Sequence, residues 1–124
     1  MARARRGVRS RMSVGALEAI EGILGRGGDA DDVLRQVVAA LLEHGGCAWA
    51  GIAFVEQHSL VLGPEAGEPD EARRSTVEIA YRGDRVGELR ADGCDDLALL
   101  ERVAALVSEH VLLGWDTGGE TWEP

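Results

Sequence analysis

The sequence predicts an α+β domain: a four-stranded antiparallel sheet of two hairpins, with helices from both chain ends on one face. Three observations predict it. Amphipathic helical patterns open and close the chain. Between them lie four short apolar segments, paired around turn residues. The first of these, Cys47 to Val55, is apolar on both alternating sets of positions: Cys47, Trp49, Gly51, Ala53 and Val55 on one, Ala48, Ala50, Ile52 and Phe54 on the other. A strand with one wet face carries a polar residue at every second place. This one does not, so both sides of the sheet are expected to be covered at its centre. Strands segregated from helices specify α+β rather than an alternating α/β order.

The elements follow in order. Ser13 is a good N-cap for a first helix, whose apolar stripe is Leu17, Ile20 and Leu24, widened by Ala16 and Ile23. Gly15 and Gly22 weaken it, and Gly25 with Gly27-Gly28 is expected to end it. The second helix starts at Asp29 or Asp31 with acids in its first turn, as the helix dipole favours. Val33, Leu34, Val37, Val38, Leu41 and Leu42 form its apolar face, and Gly45-Gly46 stops it. A first hairpin pairs Ala48–Val55 with Ser59–Leu62 across Glu56-Gln57-His58, and Gly63-Pro64 is expected to stop its second strand. Residues 63–75 read as a polar loop. A second hairpin pairs Thr76–Arg82 with Arg85–Ala91, with Gly83-Asp84 as the tight turn. Asp95 or Asp96 opens a last helix with two adjacent apolar stripes, which Gly114 is expected to end.

The 124 residues form one domain of a size that buries a core without staples. Its boundaries read as a basic disordered arm over 1–12, the domain over 13–113 and a polar tail over 114–124. Five arginines crowd the arm. After Met12 there are eight arginines against 22 acids, hence −14, a charge that repels nucleic acid and anionic membranes. No apolar run approaches a membrane span and no signal peptide is visible, so a cytoplasmic protein is expected, with neither nucleic acid nor membrane as partner.

The chemistry-bearing residues are few. His44, His58 and His110 have no partner at metal-ligand spacing, so neither a metal nor a cofactor is expected. Cys47 and Cys94 are far apart in sequence and are expected as free thiols in a reducing cytosol, with a disulfide open only if the fold brings them together. Cys47 reads as a small buried residue. A thiolate at Cys94 would gain from the helix start behind it, but Asp92, Asp95 and Asp96 oppose it. Neither cysteine shows the paired base that nucleophilic catalysis needs. The acid pairs Asp31-Asp32 and Asp95-Asp96 read as helix-start charges.

On these residues the chain resembles a GAF domain, the small sensory module related to PAS domains. The likeness lies in Trp49-Ala-Gly51-Ile-Ala-Phe54, in Leu60-Val-Leu62-Gly63-Pro64-Glu-Ala-Gly67, and in Val77-Glu-Ile79-Ala-Tyr81 leading to Val86-Gly87-Glu-Leu89. By motif it is similar to the GAF-type free methionine-(R)-sulfoxide reductases, which share a Trp-x-Gly strand and a Leu-x-Leu-Gly-Pro element. Those enzymes use cysteines between the second strand and the last hairpin. Residues 63–75 here contain none, and Ala53 stands where an aromatic is usual. The resemblance therefore implies the scaffold without the reductase chemistry. The same interval roofs the ligand pocket in typical GAF domains and is short here, which implies an open, a partner-closed or a lost pocket.

The resemblance places Trp49 on the pocket side, with Gly51 and Ala53 leaving space beside it. These three are the candidate ligand contacts, and the simpler reading makes Trp49 a core residue. The expected function is a non-enzymatic sensory or interaction domain of cytoplasmic signalling, homodimeric through its first and last helices. The alternatives are a small-molecule sensor around Trp49 and, behind it, a reductase-like oxidoreductase acting through Cys47 or Cys94.

Overall fold

The computed structural model describes the backbone of residues 2–94 and 96–121 and the side chains of 14–94 and 96–112. Its elements are α1 (Ala2–Arg26), α2 (Ala30–Gly45), β1 (Trp49–Glu56), β2 (Ser59–Gly67), β3 (Arg74–Tyr81), β4 (Asp84–Asp92) and α3 (Leu97–Thr121). The four strands form one antiparallel sheet in the order β2-β1-β4-β3, so two hairpins meet along β1 and β4. One face is the core. Ala50, Ile52, Ile79, Leu89 and Ala91 from the strands pack there with Val33, Leu34, Val37 and Leu41 of α2 and Leu100, Val103, Val107 and Val111 of α3. Helix α1 adds Ala16, Ile20 and Ile23 to the same cluster. The α+β class and the helices on one face are as the patterning predicts.

The ends of the helices have local causes. Asp29 takes the N-cap conformation of α2 (φ −63°, ψ 136°), and Gly46 closes that helix in the left-handed region at φ 77°, its N–H donating to the Leu41 carbonyl. Asp96 caps α3, accepting a hydrogen bond from the Leu99 N–H at 3.1 Å. Asp95 lies outside the described residues. The terminal helices are longer than expected. α1 runs from Ala2 and takes in the segment expected as a disordered arm, an arginine-rich stretch with one glycine and no proline. α3 passes Gly114 and runs to Thr121, through the start of the expected tail. A helical glycine costs stability but ends a helix only where the backbone turns left-handed.

The strands also differ from their expected bounds. β2 does not stop at Gly63-Pro64. It continues to Gly67, and those two residues sit in a bulge opposite the Gly51–Ala53 stretch of β1. Proline is tolerated there because β2 is an edge strand. Both hairpins close on two residues with positive φ, the pattern of type I′ turns. They are Gln57 (50°) with His58 (72°), and Arg82 (53°) with Gly83 (87°) in place of the expected Gly83-Asp84. A single 3₁₀ turn, Glu71–Arg73, joins the hairpins.

Helix lengths set the outline. α2, with 16 residues, spans ~24 Å, close to the length of the strands. α1 and α3, with 25 residues each, span ~37 Å. Ala16 and Leu99 meet at Gly45, where α2 ends. The surplus of α1 therefore lies on the N-terminal side of Ala16. That of α3 lies beyond Val111, which packs at Gly87 toward the other end of the sheet.

Two bonds lock the end of the sheet where β1 begins. The first corrects the expectation of free thiols: Cys47 and Cys94 are joined in a disulfide, with Cα atoms 4.7 Å apart. The physical reason is register. Trp49 pairs with Asp92, and the same register carried two residues outward sets Cys47 against Cys94. Both are buried, at 6% and 7% exposure.

The second is the carboxylate of Asp92, the only charged side chain fully buried among the described residues. It accepts from Arg74 Nε at 2.8 Å, from Arg74 Nη2 at 3.0 Å and from the Asp70 N–H at 2.6 Å. Its backbone carbonyl accepts from the Ala48 N–H at 2.8 Å. One residue thus ties β4 to the start of β3, to the link between hairpins and to the entry of β1. The Arg74 hydrogen bonds hold the Asp92 carboxyl below the usual carboxylate range, against the opposing pull of burial and with help from the Asp70 N–H. The same pairing raises the Arg74 guanidinium.

Two outcomes follow from this lock. Replacing both cysteines by serine should lower unfolding free energy by about 2–4 kcal/mol, the range for a crosslink across a long loop, measured by urea denaturation. Asp92→Asn should cost roughly 1–3 kcal/mol at neutral pH, because one accepting oxygen becomes an amide that meets the Arg74 and Asp70 donors with donors of its own. A depressed folded pKa gives stability that is present above the unfolded value of about 4 and lost as pH falls through the folded one. Denaturation at acid and neutral pH should therefore show a smaller acid loss in Asp92→Asn than in the native protein.

Candidate functional site

The face of the sheet opposite the helices carries the candidate ligand residues. Trp49, Gly51 and Ala53 alternate along β1 and point to that face, so the structure brings all three together. All three are buried, Trp49 at 2% exposure and Ala53 at 0%. The expectation that both sides of β1 are covered therefore holds, and the chain itself supplies the cover. The Trp49 indole folds back over Gly51: a Cβ at Gly51 would stand 2.7 Å from two of its ring carbons and 3.2 Å from Leu62 Cδ1. Glycine is required there because the ring takes the room of a side chain.

The other side of the indole is occupied by Arg74, whose guanidinium carbon lies 4.4 Å from the ring centroid. That is a cation–π stack, and Asp92 holds the cation in place. The indole N–H donates to Glu65 Oε1 at 3.0 Å, so the polar edge of Trp49 is satisfied as well. Further along, Ala53 pairs with Leu62 on one side and Glu88 on the other. Glu88 accepts from Arg85 at 2.7 Å through one oxygen and from Arg90 at 3.1 Å through the other. The face is an apolar patch of Trp49, Gly51, Ala53 and Leu62, bordered by paired charges.

Arg74, Asp92 and Glu65 are site residues that sequence reasoning missed. Register is the signal that unites them. Gly67, Trp49, Asp92 and Arg74 form one row across all four strands, and Glu65 faces Gly51 in the next. The chain alone shows no such row until both hairpin turns are placed to the residue.

The remaining reactive groups are dispersed. His58 lies in the β1–β2 turn, and His44 lies in the last turn of α2, 3.7 Å from Glu43. His110 Nδ1 is buried without a hydrogen-bond partner among the described residues. No group of three His, Cys, Asp or Glu is placed to hold a metal ion among the described residues. No described helix is long and apolar enough to cross a membrane. Among the described residues, hollows of about 360, 480 and 380 Å³ lie elsewhere, and Trp49, Gly51 and Ala53 line none of these.

The sequence matches no protein-family model and no curated protein. Solved structures do match. The GAF domain of an Acinetobacter phosphoenolpyruvate-protein phosphotransferase superposes with a TM-score of 0.70 at 12% identity, over 87% of this chain and 98% of that one. A GAF domain from A. Aeolicus in an inactive state gives 0.69 at 12% identity, over 85% and 98%. The free methionine-R-sulfoxide reductase of Neisseria meningitidis, in complex with its substrate, gives 0.66 at 18% identity, over 85% and 93%. Two GAF domains and a reductase thus share the architecture, and at these identities the likeness shows the fold alone: this chain is built on the fold of a GAF domain.

Proposed function

We propose that this domain is a non-enzymatic interaction module of cytoplasmic signalling that works as a homodimer through α1 and α3. The observation that carries the reading is the excess of the two terminal helices. Each is about 13 Å longer than α2, which already matches the sheet. Each also leaves a large apolar side chain in solvent, Val14 at 51% exposure on α1 and Leu97 at 50% on α3. Leu17 and Leu24 of α1 and Leu106 of α3 are half-buried. A second copy could cover this surface.

The absence of enzymatic activity in this reading draws on the cysteines. Cys47 and Cys94 are bonded to each other and buried, so neither offers a thiolate. The cytoplasmic part requires that this burial keep cellular thiols from the bond, since disulfides persist chiefly in oxidising compartments. A small-molecule sensor centred on Trp49, Gly51 and Ala53 draws less support. Its ligand would have to displace Arg74 from the indole face and break a buried ion pair.

Sedimentation velocity at micromolar concentration should show a dimer, and a monomer there ends the reading. Val14→Glu combined with Leu97→Glu should weaken dimerisation by roughly a hundredfold, because each change removes an apolar contact worth about a decade in affinity. Both positions are solvent-exposed in the monomer. Circular dichroism should therefore be unchanged.

A further inference from the structure

We propose that the hollow at the turn end of the sheet binds a small carboxylate with an apolar body. Its volume is about 360 Å³, within the range of small-molecule sites. Val55, Val86 and Leu112 form its apolar wall, and Gln57, His58 and Arg85 its polar rim. That is the composition of a ligand site: mostly apolar, with a few converging polar groups.

Charge selects the ligand class. Acids outnumber arginines 22 to 13 in the chain, yet among the described residues no acid lines this hollow. The other two hollows contain acids, Glu78 and Glu101 in one and Glu43 in the other. Arg85 is exposed and keeps donors free. A guanidinium has five N–H bonds, and one Arg85 hydrogen bond is formed, to Glu88 at 2.7 Å. Glu88 also accepts from Arg90, so its single charge is divided between two guanidiniums. A ligand carboxylate can take the remaining donors while its apolar body meets the two valines and Leu112.

The turn adds an independent observation. Gln57 and His58 both have positive φ, where asparagine and glycine are the usual occupants of a type I′ turn. The turn thus sets both residues on the rim of the hollow. The cavity lies at the opposite end of β1 from Trp49, so the two sites are separate.

The test is a titration of methyl-labelled protein with sodium octanoate and with 1-octanol, followed by nuclear magnetic resonance. Octanoate should give saturable shifts at the Val55, Val86 and Leu112 methyls. Arg85→Gln should weaken octanoate roughly tenfold, the effect of one charge-assisted hydrogen bond, and leave octanol unchanged. Arg85→Lys should restore most of the loss, and Val86→Phe should fill the cavity and abolish both. No saturable shift of those methyls at millimolar octanoate overturns the proposal. So does equal binding of octanoate and octanol, or octanoate affinity unaltered in Arg85→Gln.

Discussion

The buried carboxylate of Asp92 organises the structure around it. A charge removed from water is tolerated only when its hydrogen bonds are replaced. Asp92 replaces them from Arg74 and from the Asp70 backbone, while its carbonyl receives Ala48. Those partners come from two separated parts of the chain, Ala48 and residues 70–74, so satisfying one residue places the start of β1, the end of β4, the start of β3 and the link between hairpins. The disulfide fastens the same end one step further out. Arg74, fixed by Asp92, in turn covers Trp49, and Trp49 covers Gly51. A structural ion pair thus covers the outer face of the sheet at this end.

Much of the fold was legible because it rests on local chemistry. β1 is apolar on both phases, and the structure buries both. The α2 stripe from Val33 to Leu42 and the cap at Asp96 are short-range patterns with one reading. What escaped depends on register or on context. A disulfide between residues 47 positions apart is invisible until β1 is laid against β4. Pro64 looks like a stop, and it is one only for a strand paired on both sides. Gly114 looks like a cap, and the α3 backbone continues through it. The candidate site divides in the same way. Trp49, Gly51 and Ala53 were visible as an alternating apolar set, whereas Arg74 and Glu65 enter only through cross-strand rows.

The two ends of the domain are physically different. The end near Cys47 is closed, with a covalent bond, an ion pair and a stacked ring within a few residues. The turn end has two reverse turns in left-handed conformations and a hollow between strands and α3. Rigidity at one pole and room at the other is a common division between scaffold and site.

The bulge at Gly63-Pro64 bears on how copies of this chain can associate. β2 is an outer strand with Val61 and Leu62 half in water, which would ordinarily invite a neighbour to add its own strand and the next copy to do likewise. Pro64 offers no N–H, and the irregular spacing beside it interrupts the ladder an incoming backbone would need. Association by sheet extension at the β2 edge is therefore frustrated, while helix-mediated, self-limiting assembly stays available.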